Sequence, residues 1–122
     1  MKHFNLNSID WQGRFEHQKA LLFTEDDLKS PGAKFQVIKL EPGVEIKPHY
    51  HKARTEVFAI LAGAGDIRLG SETYHATTGD IFLCETGDVH AFSNPGQADF
   101  IIGVFRTNDP GDSDMLWAEV KS

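Results

Sequence analysis

Apolar and polar positions change places every few residues along this chain, and the runs they form are short. KFQVIKLE (34–41), EVFAILA (56–62), GDIRLG (65–70), ETYHAT (72–77), DIFLC (80–84), VHAFSN (89–94) and ADFIIGVFRT (98–107) are each punctuated by glycine, proline or asparagine, as strands separated by tight turns are. Turn signals spaced roughly 8–12 residues apart are the mark of an all-β chain. Helical periodicity is almost absent. One helical turn is expected in TEDDLKSPG, capped by Thr24, running through Asp27 and ended by Pro31-Gly32.

Two runs, Val57 to Ala62 and Phe100 to Phe105, are apolar at consecutive positions. A sheet wetted on one face does not tolerate that, so these runs imply a closed or stacked β-structure, or a subunit interface. Gly70-Ser71 lies between two alternating stretches and reads as a hairpin turn. Within 34–41 the apolar phase shifts between Val37 and Ile38, for which a β-bulge is the expected explanation.

Composition narrows this picture. A chain of 122 residues with 40% hydrophobic content buries one core and is too short for two. The expected organisation is a single domain over 1–122, with N-terminal strands and a connector at 1–33, a barrel at 34–107 and a C-terminal extension at 108–122. Eighteen acidic against twelve basic residues, with no basic run, argue against a nucleic-acid backbone as partner. No segment approaches the ~20 apolar residues of a membrane helix, and the first residues lack a signal-peptide core. A cytoplasmic location is expected. Cys84 is the only cysteine, which rules out an intrachain disulfide and CxxC zinc sites.

The chemistry concentrates in GVEIKPHYHKARTE, Gly43 to Glu56. On a strand, His49 and His51 point to one face about 6–7 Å apart at the backbone, close enough for both imidazoles to reach one ion. Lys52 to Thr55 can turn the chain, and Glu56 then returns to the same ion. His90, in GDVHAFSN, is a fourth candidate ligand that only the fold can deliver.

These residues resemble the two motifs of the cupin superfamily. Gly43, His49, His51, Glu56 and Gly63 match G(X)5HXH(X)3–4E(X)6G, and Gly79, Gly87, His90 and Asn94 match G(X)5PXG(X)2H(X)3N with Glu85 at the proline position. At average residue usage the first motif alone has a chance probability on the order of 10⁻⁷ per starting position. The resemblance is to small single-domain cupins of the conserved-barrel (cupin 2) type. It implies an RmlC-like double-stranded β-helix, a small jelly-roll barrel, with His49, His51, Glu56 and His90 holding one divalent transition metal, Fe, Mn, Ni, Cu or Zn, in its mouth. The missing proline puts the rigidity of the turn before Gly87 in question.

Other residues carry weaker signals. His3 and His17 are expected to be solvated, His75 to lie on the surface of its hairpin, and Cys84 to be a buried, inert thiol. Arg54 and Arg68 are of the kind that grips a carboxylate at a barrel mouth, although solvated surface is the expected state of each. The PGDSD run at 110–114 lacks the ligand spacing of an EF-hand and reads as a turn. Phe58, Ile60, Phe82 and Phe92 are expected to line the barrel.

The leading functional expectation is a small metal-dependent oxygenase acting on a chelating organic substrate, with Glu56 also handling a proton. A metal-dependent isomerase or lyase and a non-catalytic small-molecule binding module are the alternatives. A homodimer is expected from the run Phe100 to Phe105 and from Trp11 and Trp117 as aromatic anchors.

Overall fold

The structure, a computed structural model, describes residues 1–13, 16–111 and 114–118. In chain order its strands are Gln12–Gly13 (β1), Gln18–Phe23 (β2), Lys34–Leu40 (β3), Glu45–His51 (β4), Thr55–Ala62 (β5), Ala64–Leu69 (β6), Glu72–Thr77 (β7), Ile81–Cys84 (β8), His90–Ser93 (β9), Phe100–Thr107 (β10) and Met115–Trp117 (β11). The seven strands read from alternation are all present, with ends displaced by at most two residues.

The strands form two antiparallel sheets, ordered β1-β2-β3-β10-β5-β8 and β11-β4-β9-β6-β7. This is the jelly-roll arrangement expected of a double-stranded β-helix. One core joins the inward residues of both sheets. Leu40, Phe58, Ile60, Phe100, Ile102 and Val104 come from the first, and Ile46, Ile67, Ala76 and Phe92 from the second. Phe58, Ile60 and Phe92 belong to this core, and Phe82 packs at its edge.

Alternation explains why β10 is apolar on both faces. Phe100, Ile102 and Val104 are buried in the core, whereas Ile101 and Phe105 point outward and are half-buried. The same reasoning corrects the bulge expected in 34–41. β3 pairs with β10 in unbroken register from Phe100↔Leu40 to Arg106↔Lys34. Val37 and Ile38 are both buried because each face has its own cover. Ile38 packs in the barrel, and Val37 packs outside it with Ala20 and Leu22 in a smaller cluster that also takes in Ile9, Trp11 and Phe35.

Helix α1, Glu25–Leu28, follows β2, and Thr24 caps it in a reciprocal box with Asp27. It ends earlier than the sequence suggests. Lys29 adopts the left-handed conformation (φ 54°) and its N–H donates to the carbonyls of Asp26 and Glu25, closing the turn before Pro31 is reached. The β6–β7 hairpin turns at Gly70-Ser71 as expected, with Gly70 at φ 61°. Gly63 (φ 75°) lies where any β-carbon would collide with the Asp99 carbonyl, so only glycine fits the crossing from β5 to β6. Among the described residues no helix is long and apolar enough to cross a membrane.

Candidate metal centre

Strand pairing gathers the candidate ligands. In the second sheet β4 and β9 place His49 directly opposite His90, and His51 lies two residues further along β4 on the same face. The β4–β9 register shifts between Ile46 and His49, across Pro48, which has no N–H to give to the ladder. Glu56 opens β5 in the first sheet, opposite Arg106 on β10 and Cys84 on β8. The two sheets thus face each other through the three histidines and one carboxylate.

The candidate donor atoms of His49, His51 and His90 lie within 4.8 Å of one another. Glu56 Oε1 is 3.0 Å from His51 Nε2 and 3.5 Å from His90 Nε2, so the carboxylate joins the cluster beside two of the three rings. All four residues are buried. His49 Nδ1 lies 2.8 Å from the Lys47 carbonyl and His90 Nδ1 lies 3.1 Å from that of Asp88. A ring N–H donated to each carbonyl holds both imidazoles in the tautomer whose Nε2 carries a free lone pair.

The polar atoms left over test the fit of a cation. His51 Nδ1 and Nε2 and Glu56 Oε1 are buried without a hydrogen-bond partner among the described residues. His51 Nε2 and Glu56 Oε1 are close but not aligned as donor and acceptor. Buried lone pairs facing one another are costly, and a divalent ion satisfies all of them together. Three imidazoles and a carboxylate suit a borderline transition metal. The donor set fits.

Electrostatics favours the ligating protonation states. Burial, reinforced by the neighbouring His49, pushes the His90 imidazole down to about 3. Burial also lowers His49, although its bond to the Lys47 carbonyl acts the other way. Burial pushes the Glu56 carboxyl upward, but the His51 contact and the charge of Arg106 outweigh it, and the group stays below the ordinary carboxylate range. Neutral imidazoles and an ionised carboxylate are what a metal ion binds.

The cluster lies in a cavity of about 350 Å³ whose apolar wall includes Ile38, Ile46, Phe58, Phe92 and Val104. A cupin-domain family model matches residues 36–105, more than half of the sequence. The chain belongs to the cupin family. Solved structures agree on the fold of this cupin. A conserved double-stranded β-helix protein from Klebsiella pneumoniae superposes with a TM-score of 0.80 at 20% identity, covering 98% of this chain and 99% of its own. The cupin domain of Schizosaccharomyces pombe Cnp3 gives 0.77 at 20% identity, covering 88% and 74%. A Thermotoga maritima protein described as a predicted oxalate decarboxylase gives 0.71 at 24% identity, covering 75% and 80%. No curated protein matches the sequence.

Several residues of this cupin sit elsewhere than the sequence suggests. Arg54, expected on the surface, is 4% exposed and lines the cavity. The loop between β4 and β5 folds its side chain inward toward Asp109 (3.6 Å) and Asp114 (3.9 Å), and Asp114 also accepts from the Arg54 backbone N–H. His17, expected to be solvated, is half-buried and lines the same cavity. Arg68, His75 and His3 are on the surface as expected, with His75 3.1 Å from Asp66.

Cys84 is buried, and burial pushes its thiol up to about 12. It is therefore protonated, and its Sγ touches His90 Nδ1 at 3.3 Å. Glu85, at the motif's proline position, uses the N–H that proline would lack. It donates to Asp88 Oδ2, and the Asp88 N–H returns to the Glu85 carbonyl, both at 3.0 Å. The turn into Gly87 (φ 86°) is closed by a side chain where the motif has a ring.

Three participants went unread in the sequence. Arg106 donates from Nε to Glu56 Oε2 at 2.7 Å, and the signal for it was its inward phase on β10 after Phe100, Ile102 and Val104, where a cation needs a partner. Asp109 faces Lys34, Arg54 and Arg106 at 3.5–3.8 Å. Asp114 lies in the acidic run read as a turn, two of whose residues, 112 and 113, fall outside the described ones. Trp117 stacks edge-on against His49 with ring centroids 5.7 Å apart and remains 59% exposed at the mouth.

Proposed function

We propose that this cupin is a metal-dependent enzyme, an oxygenase acting on a small chelating organic substrate, with the ion held by His49, His51, His90 and Glu56. The observation that carries the reading is the set of buried, unpartnered donor atoms aimed at one point in an apolar-walled cavity. A divalent redox-active ion bound there supplies Lewis acidity and electron transfer toward dioxygen.

The protein's own groups do the rest. Lys47 and Asp88 carbonyls fix the tautomers of His49 and His90. Arg106 holds Glu56 by one oxygen and leaves the other turned toward the histidines, so that Glu56 can ligate and, when it loosens, accept a proton from a bound hydroxyl or enol. Phe58, Phe92 and Val104 exclude water around the reacting atoms. A cytoplasmic setting suits a chain whose one thiol is buried and protonated.

The unhydrogen-bonded oxygen of Glu56 also favours a second reading, proton transfer without dioxygen, as in an isomerase or lyase. Oxygen uptake separates the two. Protein purified without chelator or nickel resin should carry about one metal per chain, and the iron(II) form should consume dioxygen with diketones, flavonols or thiols while the zinc form stays inert. Equal turnover of zinc and iron forms under nitrogen would end the oxygenase reading.

We also propose that a second copy covers the outer face of the first sheet. Cross-strand neighbours Leu83, Val57, Phe105 and Phe35 make an apolar row over four strands, and Leu83 and its β8 neighbour Ile81 are 56% and 71% exposed. β8 pairs with β5 alone among the described residues, and a two-fold axis sets such a patch against itself. Sedimentation at micromolar concentration should show twice 13.6 kDa for the wild type and the single mass for Leu83→Asp. A wild-type monomer removes the proposal.

A further inference from the structure

The chain carries a formal charge of −6, yet its cavity is lined by an excess of cations. Lys19, Arg54 and Arg106 face a single carboxylate there, Glu56, beside the uncharged histidines. Arg106 is bound to Glu56 through Nε. Arg54 is different. It is 96% buried by its 4% exposure, and its Nε and Nη1 have no hydrogen-bond partner among the described residues.

Its nearest carboxylates hold it without satisfying it. Asp109 Oδ2 is 3.6 Å from Arg54 Nη1 and 3.8 Å from Arg106 Nη1, and Asp114 Oδ2 is 3.9 Å from Arg54 Nε, all beyond hydrogen-bond length. Asp109 therefore sets the two guanidinium groups side by side, and Asp114, tied to the backbone N–H groups of Lys52 and Arg54 at 3.1 and 3.0 Å, anchors the loop that carries Arg54. A buried guanidinium with unused donors is expensive unless an anion completes it. Its planar fork fits two carboxylate oxygens at once.

We infer that Arg54, set beside Arg106, is a carboxylate-binding subsite, and that the substrate is an organic acid whose carboxylate is gripped there while an adjacent oxygen reaches the metal centre. This deepens the function proposed above and rests on it for the metal contact, though not for the anion contact. Charge balance points the same way. Arg54, Arg106 and Lys34 are matched by Glu56, Asp109 and Asp114, so a divalent ion leaves two positive charges for which an anionic ligand is the natural complement. The Phe58 and Phe92 wall takes the apolar remainder of the molecule.

Calorimetry on the full chain tests the two parts separately. Benzoate and benzamide against metal-free protein report on the arginines alone. Benzoylformate and 1-phenyl-1,2-propanedione against zinc-loaded protein compare two chelating dicarbonyls that differ in a carboxylate. In each pair the acid should bind at least about tenfold more tightly, the equivalent of about 1.4 kcal/mol. Arg54→Gln should abolish the preference and Arg54→Lys should keep part of it, with zinc affinity unchanged in both. No preference for the acids in the wild type overturns the subsite whatever the variants do. An undiminished preference in Arg54→Gln overturns the assignment to Arg54. A preference for benzoate in a protein that takes up no zinc leaves the subsite standing and removes the metal reading instead.

Discussion

The two ends of the barrel interior are built from the same strands and hold opposite kinds of residue. On β10 the inward series runs Phe100, Ile102, Val104 and then Arg106, and on β5 it runs Ile60, Phe58 and then Glu56. β9 passes from Phe92 to His90, and β4 from Ile46 to His49 and His51. At the base every inward side chain is apolar and packed. At the mouth, side chains just as buried are imidazoles, guanidinium groups and carboxylates with atoms left unpartnered. Burial at the base stabilises the fold, whereas burial at the mouth removes hydration from polar groups and becomes useful only with a ligand. A local rule broken at one end of a regular structure marks the end where function sits.

Substitutions should separate the two ends. Phe100→Ala removes a fully buried ring from the base and should cost about 3–5 kcal/mol of stability, measured by denaturant titration, with and without zinc alike. His51→Leu at the mouth should leave the metal-free chain near wild-type stability, because the ring it removes has both nitrogens unpartnered. The next largest effect is the ion itself. Zinc at a hundred times its dissociation constant should raise wild-type stability by about 2.7 kcal/mol, and Phe100→Ala by the same amount. His51→Leu should gain almost nothing. A zinc-induced gain that survives His51→Leu would mean the ion binds elsewhere.

Much of the base was legible in the sequence, and about half of the mouth. Period-two alternation reports which face of a strand is wet, so the strands through 34–107 and the inward places of Phe58, Ile60 and Phe92 could be read directly. β2 and β11 were harder, because Leu21 and Trp117 are apolar yet 48% and 59% exposed, which blurs the alternation. His49 and His51 announce themselves by spacing on one strand. Arg54 and Asp114 do not, since their meeting joins the β4–β5 loop to a segment sixty residues on. Loops carry no periodicity, so an arginine in one looks solvated until the fold closes over it. The apparent bulge at Val37 and Ile38 failed for a related reason. Two adjacent apolar residues in a strand signal cover on both faces as readily as an irregular backbone.

Acid offers the gentlest way to sharpen the contrast, because only the mouth holds buried groups that titrate. An unfolded imidazole takes up a proton near 6.5, whereas His90 in the folded chain resists until about 3. Between those values the unfolded state binds more protons than the folded one, so stability is full above pH 6.5 and falls as pH is lowered, by at most about 1.4 kcal/mol per pH unit for each such group. His49 is lowered as well and acts in the same direction. Glu56 joins below pH 4.5, where an unfolded carboxyl protonates and the folded one, held down by His51 and Arg106 against the opposing effect of burial, does not. Melting curves in chelator from pH 7.5 to 4 should therefore show a midpoint that declines steadily below 6.5 and more steeply below 4.5. His90→Leu should flatten the upper part of that decline and leave the lower part, while Phe100→Ala should shift the whole curve down without changing its shape. Since protons and metal compete for the same imidazoles, the gain from saturating zinc should shrink over the same interval. A wild-type midpoint that is constant between pH 7 and 5 would contradict a buried neutral histidine cluster, and with it the electrical difference between the two ends.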